Sequence, residues 1–258
     1  MIKGILFDIH GTIIDKGGKP ALDRALKNAH AFINGSGYPL TFDDYYNAWL
    51  NNLRKHRKDV EELNEVGYYD WYDGILSDLG LDDYDEEFMN GLDDQFAEGF
   101  RTTTTEMPNT KLVLTELKKD FLIAVVSNSM ARSTYKDLSI VGLTDLLDGI
   151  YISSEIGKRK PHPYIFNKAL GELNIRAEEA VFVGDDLFED IFGAQQVGMK
   201  TIFINRGGPL KDFTKEEVFQ KIMKGKETVK RSEEIDADFI IEDLKELLGL
   251  ISAMEARG

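Results

Sequence analysis

The sequence predicts an α/β fold, a Rossmann-like parallel sheet core interrupted near its start by an inserted α-helical domain. Three observations carry that expectation. Short apolar runs at residues 5–7, 121–126 and 181–183 each end in chemistry-bearing polar residues, as strands buried on both faces do. From residue 110 onward such runs alternate with helical patterns. Between Thr12 and about residue 110 the alternation is missing, and the composition there is helical, polar and aromatic.

Composition narrows the function classes. The 258 residues suit one core plus an insert, and 42% hydrophobic content with 10% aromatics is enough to build it. Lys+Arg 31 against Asp+Glu 46 leaves a net charge of −15, which argues against nonspecific nucleic-acid or anionic-membrane partners. An anionic substrate therefore needs a local positive site. The absence of cysteine excludes disulfides and thiol catalysis. Residues 1–4 run straight into the first strand and no stretch is apolar enough to span a bilayer, so the expected location is cytoplasmic.

The first strand, around residues 5–7, delivers Asp8 to the carboxyl end of a buried parallel strand, where open α/β sheets place ligands. A carboxylate there can act as nucleophile or metal ligand, and Gly11 before Thr12 permits a tight backbone turn. In the insert, Tyr45, Trp49, Leu53 and His56 recur at helical spacing and read as a core stripe. The basic run Arg54, Lys55, His56, Arg57 and Lys58 reads as a solvated helix face, or as a patch drawing an anion beneath the insert. Tyr68, Tyr69, Trp71 and Tyr72 could line a substrate cavity, but read first as closing the core of the helical insert. Asp82, Asp83, Asp85, Glu86 and Glu87 lack the turn glycine of a calcium loop and read as a loop and helix start. Thr102 to Thr105 and Pro108 form the return linker.

Residues 111–119 read as an amphipathic helix burying Leu112, Leu114 and Leu117. The strand over 121–126 ends at Ser127, Asn128 and Ser129, where a hydroxyl can hydrogen-bond a phosphate or carboxylate. A third strand over 150–153 leads to Lys158, Arg159 and Lys160, then Pro161, Pro163 and a helix over 164–173. A fourth strand over 181–184 ends in Asp185 and Asp186, with Asp190 a helical turn further on. Carboxylates converging at neighbouring strand ends suit Mg²⁺. A helix over 193–199, strands over 200–205 and 237–241 and a helix over 242–251 complete the pattern. The charged stretch 209–234 stands outside it, as a helical surface hairpin or an oligomer contact.

Phe7-Asp8-Ile9-His10-Gly11-Thr12 resembles the first motif of the haloacid dehalogenase superfamily of hydrolases. Ser127, then Lys160-Pro161 with Pro163 and Phe166, then Gly184-Asp185-Asp186 with Asp190 match three further motifs in order. The resemblance implies a catalytic core at 1–15 and 110–258 and a helical cap at 16–109. It implies a Mg²⁺-dependent phosphatase-type hydrolase of a small phosphorylated metabolite, with Asp8 attacking phosphorus to form an aspartyl-phosphate. Ser127 and Lys160 would hold the phosphoryl group, with Thr12 and Asn128 beside it. The implied metal ligands are Asp8, the backbone carbonyl of His10 and Asp185, supported by Asp186 or Asp190.

These proteins usually carry Asp-x-Asp-Gly-Thr, and here His10 stands at the second acid, which serves the family as acid/base. An imidazole can move protons near neutral pH. Three outcomes follow: His10 works as the acid/base, the phosphatase is slow, or the chemistry needs no acid. Dehalogenase relatives lack the second acid but also typically lack the fourth motif's acids, which are present here. Phosphonate-cleaving relatives need a cap lysine, for which Lys55 and Lys58 are candidates by composition. A non-catalytic metal- and phosphate-binding protein is the remaining alternative.

Overall fold

A computed structural model describes residues 1–56, 62–206 and 235–256. Its centre is a six-stranded parallel sheet in the order β5-β4-β1-β6-β7-β8, formed by β1 (Gly4–Phe7), β4 (Leu122–Ser127), β5 (Gly149–Ile152), β6 (Ala180–Gly184), β7 (Lys200–Ile204) and β8 (Phe239–Ile241). In β1, Ile5 and Phe7 join one apolar cluster and Leu6 the cluster on the opposite face. This two-sided burial is why the run carries no polar alternation. Phe7 pairs in register with Val125 of β4 and with Val183 of β6. The three strands therefore end level, and Asp8, Ser127 and Asp185 emerge along one edge.

Among the described residues, four helices fill the interval between the first two core strands: α1 (Gly18–Gly35), α2 (Phe42–Lys55), α3 (Tyr68–Asp78) and α4 (Glu86–Arg101). They enclose an apolar cluster of their own, including Leu26, Ile33, Tyr45, Tyr72 and Leu92. The expected stripe on α2 is corrected. Tyr45 is buried, but the buried face continues through Ala48 and Asn52, leaving Trp49 half-buried and Leu53 41% exposed. Tyr72 enters the core, whereas Tyr69 faces solvent. Asp85 caps α4 by accepting from the Phe88 amide, so the acidic run is a helix start. Lys55 pairs with Asp78 and Arg54 donates to Asn51, both at the exposed surface. Arg57, Lys58 and the stretch 209–234 lie outside the described residues.

The insert leaves and returns along a short antiparallel pair, β2 (Ile14–Asp15) with β3 (Thr105–Glu106). Beside it Gly17 has φ +81°, and a Cβ there would lie 2.5 Å from the Thr103 side chain. α5 (Thr110–Leu117) buries Thr110, Val113, Leu114 and Leu117. Leu112, expected inside, is 48% exposed, because the buried stripe starts at Thr110 and skips it. Among the described residues, the longer helices that follow are α6 (Ala131–Ile140), α7 (Pro163–Leu173) and α8 (Glu246–Glu255), with short helical turns at Ser153–Ile156, Leu187–Phe192 and Gly193–Gln196. Among the described residues no helix is long and apolar enough to cross a membrane.

Candidate active site

The turn after β1 is held almost completely by its own backbone and its neighbours. Ile9 O accepts from the Ile13 and Ile14 amides, Ile13 O from the Met107 amide and Ile14 O from the Gly11 amide. Arg206 takes the carbonyls of Gly11 and Thr12. Among the described residues, His10 O accepts none of the hydrogen bonds that hold this turn. Asp8, 8% exposed, sits at the head of the turn, and the Thr12 hydroxyl donates to its Oδ2 at 3.4 Å.

Lys160 reaches Asp8 from the loop after β5. Its ammonium is 2.7 Å from Asp8 Oδ1 and 2.6 Å from Asp190 Oδ1, with the side chain 1% exposed. Burial works against this ammonium, but Asp190 and Asp8 hold it above the ordinary lysine range. The neighbouring cations are directed elsewhere: Lys158 to Asn64, and Arg159 to Glu65 and Glu189. Asn128, expected to touch substrate, instead clamps the backbone of Lys160, donating to its carbonyl at 3.0 Å and accepting from its amide at 2.7 Å. Both ends of its amide are spent on fixing the lysine. Ser127 lies buried at the end of β4 and accepts from the Ser129 hydroxyl at 3.2 Å.

The acids that follow β6 are separated in role. Asp190 is buried, accepts from the Asp185 and Asp186 amides through Oδ2, and approaches Gly184 so closely that a Cβ there would lie 2.3 Å from that oxygen. Burial pushes the Asp190 carboxyl well above the usual carboxylate range; Lys160 opposes this, while Asp8 and Asp186 add to it. Asp8, Asp185 and Asp190 each bring a carboxylate oxygen within 4.8 Å of the others. Asp186 is not part of that cluster. Its Oδ1 caps the following turn, accepting from the Phe188 and Glu189 amides at 2.9 and 2.8 Å. Asp186, carried in the expected ligand set as a supporting residue, caps this turn with Oδ1 and stands outside the three-acid cluster. Three hard oxygen donors and the His10 carbonyl, against a single lysine, fit Mg²⁺.

A quarter of the His10 side chain is reached by solvent, yet its Nε2 is covered and lies 3.6 Å from Asp137 Oδ2, beyond hydrogen-bond length. Lys16 approaches the same Asp137 oxygen at 2.8 Å. Burial lowers the His10 pKa, Asp137 opposing and Lys16 reinforcing the fall. Asp137 and Arg206 carried no motif signal in the sequence.

A buried carboxylate at the end of a central strand, with a lysine and further acids at adjacent strand ends, defines a hydrolase centre of the strand-end carboxylate class. The haloacid dehalogenase-like hydrolase family model matches residues 2–198, and a HAD-hydrolase-like model matches residues 158–247. The chain belongs to the haloacid dehalogenase-like hydrolases. The glyceraldehyde 3-phosphate phosphatase of Pyrococcus furiosus is 30% identical over 207 residues, covering 80% of this chain and 82% of that protein. The phosphoglycolate phosphatase of Yersinia pestis is 27% identical over 207 residues, with coverage of 80% and 82%. Among solved structures, a 2-haloacid dehalogenase from Pseudomonas syringae pv. Tomato DC3000 superposes with TM-score 0.71 at 24% identity, over 98% of this chain and 100% of that one. A HAD phosphatase from Thermococcus onnurineus does so with TM-score 0.62 at 23% identity, over 97% and 98%. The two structural likenesses establish the shared fold.

Proposed function

We propose that this hydrolase is a Mg²⁺-dependent phosphomonoester phosphatase of a small phosphorylated metabolite, with helices α1–α4 serving as a cap over the site. The observation that carries the reading is Lys160 bridging Asp8 and Asp190 while Asp185 joins the same acid cluster. Dehalogenation, suggested by several fold neighbours, would leave that cluster of acids without a task. The relatives named as phosphatases of glyceraldehyde 3-phosphate and phosphoglycolate support a substrate of comparable size.

In this reading Asp8 attacks phosphorus in line and carries the phosphoryl group as an acyl phosphate until water releases it. Lys160 and the Ser127 hydroxyl hold the phosphoryl oxygens, and Asn128 acts one step back by fixing Lys160. Bound at Asp8, Asp185 and the His10 carbonyl, Mg²⁺ would offset the charge of carboxylate and phosphoryl group. His10 gives a proton to the leaving oxygen and later takes one from the attacking water, a contribution of ~10²–10⁴-fold in rate. Its lowered pKa favours the neutral ring that the second step needs. The segment around Asn64 and Glu65 meets the loop before Lys160, with Arg159 N donating to Leu63 O and Glu65 N to Gly157 O at 3.2 Å, which helps keep water from the phosphoryl site.

The test is phosphate release from an aryl phosphate, glyceraldehyde 3-phosphate and phosphoglycolate, with Mg²⁺ or with EDTA. Turnover that needs Mg²⁺ and disappears in Asp8→Asn supports the reading. Turnover surviving in Asp8→Asn, or absent from the parent on every phosphate, sinks it.

A further inference from the structure

One cation outside the motifs grips the turn that carries Asp8. Arg206 follows β7 and is half-buried. Its Nη1 donates to Gly11 O at 2.5 Å and its Nη2 to Thr12 O at 2.9 Å. A planar guanidinium presents two parallel N–H groups, so it suits two successive carbonyls as a lysine would not. The nearby Asp243 adds a favourable charge to Arg206, while both its oxygens accept from Asn109 at 3.0 Å. Among the described residues the hydrogen bonds of this half-buried arginine go to neutral carbonyls, a costly placement for a surface pin.

The consequence is directional. In a planar trans peptide the carbonyl and the following N–H point opposite ways. With Gly11 O held toward Arg206, the Thr12 N–H faces away from it, and among the described residues that N–H has no backbone acceptor. Gly11, at φ +94°, supplies the left-handed bend this arrangement requires. The turn thus has its carbonyls drawn to one side and a free amide on the other, the layout of a backbone anion site.

We propose that Arg206 is a positioning residue for the phosphoryl site: by holding the Gly11 and Thr12 carbonyls outward it keeps the Thr12 N–H aligned on an oxygen of the substrate's phosphate. The proposal rests on the phosphatase reading above. Arg206 acts through the turn and does not itself touch the phosphate.

The experiment compares the full chain with Arg206→Ala and Arg206→Lys, measuring inhibition of aryl phosphate hydrolysis by orthovanadate, kcat/KM, and the thermal shift produced by Mg²⁺. Arg206→Ala should weaken orthovanadate inhibition and lower kcat/KM together by roughly tenfold to a hundredfold, the worth of one hydrogen bond to a charged group. Arg206→Lys should recover part of the loss. The cavity of about 350 Å³ lined by Pro108, Arg206, Glu242 and Asp243 gives free guanidinium a route to the vacated position. Millimolar guanidinium should therefore rescue Arg206→Ala and leave the parent unchanged. The Mg²⁺ shift should persist, because the acids and His10 O are untouched; its loss would mean that the whole turn collapses, and would overturn a positioning role. Orthovanadate inhibition within twofold of an active parent would overturn the proposal alone. A parent that neither hydrolyses phosphates nor binds orthovanadate would remove the phosphatase reading and this proposal with it. Should Arg206→Ala fail to fold, Arg206→Lys carries the test, and parent-like inhibition there refutes it.

Discussion

Replacing Lys160 with methionine keeps most of the side chain's volume and removes its charge. The ammonium stands 2.6 Å from Asp190 and 2.7 Å from Asp8 with 1% of the side chain exposed, so solvent screens the contacts little. Two charge-assisted hydrogen bonds at about 1.5–3 kcal/mol each sum to roughly 3–6 kcal/mol. Breaking a buried pair from one side costs about 3–5 kcal/mol, which agrees. At roughly 2–4 °C per kcal/mol for a chain of this size, the melt of Lys160→Met in EDTA should fall by about 10 °C at neutral pH. The pH dependence has a definite sign. Lys160 is raised in the folded state, so its contribution is fully present below the ordinary lysine range and neutral pH reveals all of it. In the variant Asp190, already raised by burial, loses its counter-charge and binds a proton more readily folded than unfolded. Its stability therefore falls as pH rises through that window, and the deficit shrinks on acidification. Urea unfolding followed by circular dichroism from about pH 4 to about pH 8 reads both effects. A deficit below about 1 kcal/mol at neutral pH, or one equally large in acid, refutes the reasoning.

Asp185→Ala should abolish the thermal shift produced by Mg²⁺, whereas Asp186→Ala should keep the shift and lose about 1 kcal/mol of cap stabilisation; the reverse pattern would exchange the two assignments. Asn128→Ala, which removes both bonds to the Lys160 backbone, should cost about 1–3 kcal/mol in urea unfolding and lower kcat more than it raises KM. Because burial lowers the His10 pKa, the unfolded chain takes up its proton first, so the parent loses stability as pH falls below about 6.5. His10→Asn should flatten that slope, and an equally steep loss in the variant would rule His10 out as its source.

The central strands were legible because a strand buried on both faces must be written as an unbroken apolar run, and the residues ending those runs are the ones the sheet brings together. Lys160 stood out from Lys158 and Arg159 by the proline that follows it, and the distances show why the three differ: the neighbouring cations turn to Asn64, Glu65 and Glu189. Asp185 and Asp186 differ by a single step along the backbone, and which of them meets the amides of the next turn depends on its geometry. Asn128 looked like a ligand for substrate because its chemistry suits that task equally well. Leu112 and Leu53 show how a helical stripe displaced by one position looks as apolar as the true one. Arg206 had no local signature at all. It meets Gly11 across 195 positions of sequence, a separation that no pattern spans.

The short β2–β3 pair has a consequence for how such a protein can change over time. Ile14 and Asp15 lie directly against Glu106 and Thr105, so everything between them begins and ends at neighbouring points. An exchange of the intervening helices for another segment with equally close ends would disturb none of the six sheet strands or their register. Recombination at this junction can therefore swap the intervening helices while inheriting intact the edge that carries Asp8, Ser127 and Asp185, so the two parts of the chain can change independently.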